Sequence, residues 1–235
     1  MTVRTWAGAA SPIPWLMPAA TVANLNALGA IGGITWTPIN RNYTGVWLTG
    51  WSAGLPVAGQ VLQYCNLEHM RADAAAGHLP ANTWVMYDLE VANSPADQLT
   101  NFARSMRQFT NIAHEYGLKA ALCPTGIGLR YGRTPTTAVL RTATKAHADC
   151  YIAQVQSVTD TAHLLRILRS LSTVWDMPNE SLVVELSLGQ ATAAQMLAQW
   201  TAAKAYCAGF CIWGAGGDAA KAAIVHDFLT SVAAA

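Results

Sequence analysis

From residue 60 onward, short runs rich in aliphatic, aromatic and β-branched residues alternate with longer segments of helical periodicity. A chain organised this way folds as βα units around a parallel sheet, because each parallel neighbour has to be reached by a crossover long enough to hold a helix. The strand candidates are Val61 to Cys65, Trp84 to Glu90, Leu118 to Pro124, Cys150 to Gln156, Leu182 to Ser187 and Gly209 to Trp213. The helical segments between them begin near Leu67, Pro95, Thr136, Asp160, Thr192 and Asp218. Their starts are punctuated. Ser94-Pro95 predicts a cap followed by a first-turn proline, and Thr159 or Asp160, Thr192 and Asp218 each stand where an N-cap is expected.

Ahead of these six units, Val3 to Ala7 reads as a strand, Thr21 to Leu28 as a helix and Gly33 to Thr37 as a second strand. That makes eight strands. The stretch Thr44 to Gly59 holds four glycines and a proline and predicts an irregular excursion in place of a second helix. The expected architecture is α/β: a single (β/α)8 TIM barrel with an irregular second βα unit, occupying residues 1–235 as one domain. A doubly wound open sheet is the rival. No GxGxxG follows an early strand, and eight strands suit closure better.

Only 11% of the residues are charged, 52% are hydrophobic, and the net charge is +1. No basic field is available for nucleic acid, and no run reaches the roughly 18 apolar residues of a spanning helix, so neither nucleic acid nor membrane is an expected partner. The five cysteines (Cys65, Cys123, Cys150, Cys207, Cys211) contain no CxxC and mostly fall in strand contexts, where cysteine behaves as a small hydrophobe. Buried thiols favour the cytoplasm for the chain as it stands; secretion is the expectation if a leader has been removed.

In so charge-poor a chain, a carboxylate inside a strand stands out, since an unpaired buried charge is strongly disfavoured. Along Trp84-Val85-Met86-Tyr87-Asp88-Leu89-Glu90 the two-residue repeat puts Met86, Asp88 and Glu90 on one face and Val85, Tyr87 and Leu89 on the other. The apolar set should face the helices. Asp88 and Glu90 then point into the barrel at the carboxyl end of the fourth strand, where this fold builds its active sites, with Cα atoms roughly 6.5 to 7 Å apart. Two carboxylates this close do not ionise independently, so one can hold a proton and act as a general acid. The competing structural reading has one of them capping the next helix and the other pairing with Arg104 or Arg130.

The same parity places Gln154 and Gln156 on one face of the sixth strand, Glu185 and Ser187 on the seventh, and Trp213 at the end of the eighth. Amides, a hydroxyl and an aromatic platform suit a polyhydroxylated or amide-bearing small molecule or oligosaccharide, which offers hydroxyls to bond and C–H faces to stack. Trp36, Trp47 and Trp51, three of nine tryptophans, lie near the early loops and fit such a cleft.

The run Tyr87-Asp88-Leu89-Glu90, the segment Leu118 to Pro124, the strand around Gln154-Val155-Gln156, Leu186-Ser187-Leu188 and Gly209-Phe210-Cys211-Ile212-Trp213 together resemble the second half of a glycoside hydrolase family 18 barrel, over roughly residues 84–218. The resemblance implies that Glu90 protonates a glycosidic oxygen and that Asp88 orients a substrate N-acetyl group acting as nucleophile. It further implies Gln156 where the family usually has tyrosine and Trp213 as the floor of a sugar subsite. Met86 stands where the family carries a further aspartate, and the family's glycine-rich serine motif is absent around Val61 to Asn66.

Three functions follow as expectations. The first is a glycoside hydrolase-like enzyme that uses the pair for acid catalysis. The second is a chitinase-like carbohydrate-binding protein without hydrolysis, and the third a biosynthetic barrel lyase or isomerase. Trp213-Gly214-Ala215-Gly216-Gly217-Asp218 could hold phosphate at a helix start; Asp218 at the cap and the absence of an adjacent cation favour a plain tight turn. The six histidines form neither HxH nor HExxH and GxSxG is absent, so neither a metal nor another cofactor is expected.

Overall fold

The computed structural model describes residues 15–41, 61–90, 92–124, 148–173 and 182–235. Eight parallel strands close into a barrel in chain order: β1 Trp15–Pro18, β2 Trp36–Arg41, β3 Val61–Tyr64, β4 Trp84–Leu89, β5 Lys119–Pro124, β6 Cys150–Gln154, β7 Leu182–Ser187 and β8 Gly209–Trp213. The described helices are α1 Ala19–Leu28, α2 Leu67–Ala75, α3 Ala96–Thr100, α4 Phe102–Glu115, α5 Thr161–Thr173, α6 Ala193–Ala203 and α7 Ala219–Ala233. The chain clusters into two compact units, Ile39–Ile152 and Met1–Pro38 with Ala153–Ala235.

Within the first unit, β3, β4 and β5 are in register over their whole shared length, Gln63 beside Met86 and Asp88 beside Cys123. The outward face of these strands is held by aromatic contacts to the helices. Tyr87 stacks on Phe109 of α4 at 4.6 Å between ring centroids, and the Tyr64 hydroxyl donates to Asp73 of α2 at 2.8 Å. Within the other unit, Trp15 of β1 stacks on Phe210 of β8 and meets the edge of Phe228 of α7. These contacts fix outward parity, so the alternate residues line the inside.

The first strand corrects the sequence reading. The strand that leads into α1 and pairs with β8 is Trp15–Pro18, four residues preceding a helix that starts at Ala19. Its proline ends the strand, where the missing N–H removes no ladder bond, but in the sequence three closely spaced prolines disguised it as a loop. The second strand runs Trp36–Arg41, beyond the expected Gly33–Thr37, because Pro38 is accommodated within it. Ser94 does not cap a helix. Pro95 is the N-cap of α3 without a side-chain bond, and Ser94 instead ties back to the end of β4. Thr192 and Asp218 cap as expected, the former through a reciprocal capping box with Gln195. The strand expected over Val3 to Ala7, the excursion over Thr44 to Gly59, the helix near Thr136, Trp47, Trp51 and Arg130 lie outside the described residues.

All five cysteines are buried free thiols. Burial raises the Cys207 thiol to about 12, against a smaller opposing effect of the Gly209 backbone, so it stays protonated packing material. Among the described residues no helix is long and apolar enough to cross a membrane.

Candidate functional site

On β4 the expected parity holds. Tyr87 faces α4, whereas Asp88, 5% exposed, faces Gln63 of the neighbouring strand and accepts a hydrogen bond from its side-chain amide. Met86 lies on the same inner face and is fully buried. Glu90, just past the strand end, is half-buried, and its carboxylate accepts from the Asn93 amide. One ligand atom each of Cys65, Asp88 and Glu90 lie within 4.8 Å of one another. The two acids therefore share one space, and a thiol shares it with them.

The rim that carries these groups is held from behind by Gln98 of α3, itself 5% exposed. Its carbonyl oxygen accepts from the Tyr87 hydroxyl at 2.7 Å and from the Leu67 N–H at 3.1 Å, while its amide donates to Asn66 at 2.8 Å. Asn66 in turn caps α2 by accepting from the Glu68 N–H. One buried amide thus links the turn after β3, which carries Cys65, to β4, which carries Asp88. Burial drives the Tyr87 phenol upward, outweighing a hydrogen bond to Ser105, so it remains a neutral donor to this network. On the far side of β4, the Glu90 N–H donates to the Ser94 hydroxyl at 3.0 Å, and the N–H groups of Asn93 and Ser94 both reach the Glu90 carbonyl. Glu90 is pinned through its backbone as well as its side chain.

The other unit carries a polar set of its own. Glu185 of β7 is 1% exposed and accepts from the Gln156 amide at 2.5 Å. Ser187 stands in register with Trp213, which is half-buried at the end of β8. The two strand ends are locked where the Leu188 N–H donates to the Trp213 carbonyl at 3.0 Å, directly against Gly214. Gln154 is the last residue of β6 and half-buried. The strand stops there, so Gln156 reaches Glu185 from the following turn and not from the expected strand extension. The glycine turn after β8 ends in Asp218, whose carboxylate accepts the Ala220 and Lys221 N–H groups and occupies the helix start that an anion would need. Trp36 does not join this set. It opens β2 at the amino end, and its indole N–H donates to Asn26 of α1.

Gln63, Cys65, Asn93 and Gln98 escape the sequence reading. Gln63 and Cys65 carry the same two-residue signal as Asp88 and Glu90, and extending that parity to β3 finds them. Gln98 has no such signal, because its role depends on three partners that are remote in sequence.

No family model matches the chain, and no curated protein does. Among solved structures, it is similar to the catalytic domain of a family GH18 chitinase from the fern Peteris ryukyuensis. That match has a TM-score of 0.58 and 13% identity, covering 92% of this chain and 99% of that one. A proposed phosphonomutase from Burkholderia cenocepacia aligns with a TM-score of 0.46 and 12% identity over 94% of this chain and 93% of that one. The first likeness establishes the barrel fold; identities this low establish nothing about substrate.

Proposed function

We propose that the chain is a glycoside hydrolase-like enzyme in which Glu90 is the general acid and Asp88 its partner, acting on an oligosaccharide that bears N-acetyl groups. The observation that carries this reading is the shared space of the two carboxylates at the carboxyl end of β4, on the inner face of the barrel. Their closeness also restricts the mechanism. Inverting glycosidases hold their two carboxyls roughly 6.5–9.5 Å apart to enclose a sugar and a water between them. A pair within 4.8 Å on consecutive inner positions of one strand addresses the sugar from one side only. Glu90 then donates its proton to the departing glycosidic oxygen, while Asp88, held by Gln63, positions the substrate's own carbonyl oxygen to attack the anomeric carbon. Water opens the resulting ring and the anomeric configuration is retained. In the other unit, Gln154, Gln156, Glu185 and Trp213 are proposed, by themselves and on chemical grounds alone, as groups suited to hydroxyl bonding and C–H stacking.

Turnover of N-acetylglucosamine oligosaccharides by Glu90→Gln against the parent chain tests the assignment. General acid catalysis contributes about 10²–10⁴-fold, so a loss of that order in kcat is expected with a folded protein. Unchanged turnover of every accepted substrate would remove Glu90 from the role. A second reading, carbohydrate binding without hydrolysis, is favoured by one observation: the inner position two residues before Asp88 is the fully buried, chemically inert Met86. Calorimetric binding of the oligosaccharides with no product in any assay would select it.

A further inference from the structure

We propose that Cys65, Asp88 and Glu90 form a binding site for a single divalent cation of borderline softness, of which Zn²⁺ is the type. The donors come from two adjacent strands in register. Tyr64 stands beside Tyr87, so the next pair along brings Cys65 level with Asp88, and Glu90 follows on the same face. One ligand atom from each already lies within 4.8 Å of the other two. Around a tetrahedral zinc with bonds of about 2.0–2.3 Å, neighbouring ligand atoms are roughly 3.3–3.8 Å apart. Side-chain adjustments on the order of 1 Å therefore suffice, with no movement of the strands.

The surroundings suit a cation. Both carboxylates are oriented by amide N–H donors that stand outside the trio, Gln63 on Asp88 and Asn93 on Glu90, as carboxylate ligands of a metal are commonly held by outer hydrogen bonds. A dication placed among the three donors would offset the mutual repulsion of neighbouring carboxylates. The thiol decides which metals qualify. Thiolate selects zinc-like ions over Mg²⁺ and Ca²⁺, which prefer all-oxygen shells. Cys65 loses its proton on coordination, so metal uptake releases protons and strengthens as pH rises. Three protein ligands leave a fourth position for water or a ligand oxygen. Binding itself does not depend on the chain being a glycosidase. One consequence does: with Glu90 as the acid, a bound cation removes the proton it needs, so the loaded protein is inactive as a glycosidase.

The test uses the untagged full chain, stripped with a chelator and desalted, and titrated with Co²⁺ and Zn²⁺. Expected are one equivalent of Co²⁺ bound with a thiolate-to-cobalt band in the near ultraviolet, and Zn²⁺ displacing it with proton release. Mg²⁺ should leave the band unchanged. Cys65→Ser should abolish the band. Gln63→Leu, which removes the amide that orients Asp88, should keep the band and weaken Zn²⁺ by about 10–100-fold. No stoichiometric uptake, or a band that survives Cys65→Ser, overturns the proposal. Should Cys65→Ser not fold, Glu90→Gln at its half-exposed position serves instead: its Zn²⁺ affinity must fall, and an unchanged value is equally fatal. Metal binding alongside an active Glu90→Gln would sink the acid assignment and leave the metal site standing, and the converse pair of results would do the opposite.

Discussion

Gly214 adopts φ +94°, and a Cβ there would lie 1.9 Å from the Leu188 carbonyl oxygen. Two separate costs attend a substitution, backbone strain in the left-handed region and collision with a backbone oxygen that cannot rotate away. Gly29 separates them, since it sits at φ +112° with nothing within 4 Å of the added carbon. Gly29→Ala should therefore lose about 1–2 kcal/mol from strain alone, and Gly214→Ala about 3 kcal/mol or more with a displaced Trp213. Urea unfolding of the two variants gives the comparison; equal losses would show that Leu188 yields. The sequence made the turn after β8 legible through its glycines and Asp218, because turn and cap chemistry is local. It could not reveal that Gly214 is required by Leu188, a residue 26 positions earlier brought against it by strand pairing.

Among the elements, the amino ends of β5 and β6 are joined by Asp149. Its carboxylate accepts the Ala120 N–H at 2.9 Å, lies 2.8 Å from His114 Nε2 of α4 and receives Lys119 at 3.3 Å. Burial pushes this acid upward, but the Ala120 N–H, the His114 hydrogen bond and the two cationic partners outweigh it and hold the group below its ordinary value of 3.8. A folded value below the unfolded one stabilises the fold in full above about pH 4 and ceases to do so as pH falls through the folded value. Asp149→Asn should cost about 1–3 kcal/mol at pH 7, and the gap from the parent should narrow toward pH 3. Urea midpoints across that range measure it, and a gap that widens in acid would contradict the geometry. This junction lies at the end of the barrel where residues serve stability. Among the described residues, the strands and helix starts from β3 through α7 were readable to within a residue or two, but the single helix expected from Pro95 is two, α3 and α4, broken at Asn101. β1 was not, because four residues that follow Pro14 and end in Pro18 carry too short a pattern. The candidate site was readable where one strand carries both partners, as in β4. It was unreadable where partners come from different elements, as with Gln98 and the Asn66 cap.

For the whole molecule, 27 charged side chains in 235 residues leave little electrostatic material, yet two of the 13 acids occupy one largely buried space. If their purpose were to hold the fold, removing both charges would be expensive, because the amides of Gln63 and Asn93 would lose charged acceptors. If their purpose is chemistry, the fold tolerates a repulsion that function requires, and neutral isosteres should relieve it. The double substitution Asp88→Asn with Glu90→Gln separates the two cases. In chelator at pH 7 we expect it to be as stable as the parent or about 1 kcal/mol more stable. For a chain of this size that is a rise in Tm of about 2–4 °C, with catalytic turnover lost. The metal proposal adds an internal control, since a ligand bound only by the folded form raises the melting temperature. Zn²⁺ should therefore lift the Tm of the parent and leave the double variant unmoved. A fall in Tm of several degrees on removing the charges would assign the pair to architecture and withdraw the physical basis for a catalytic site there.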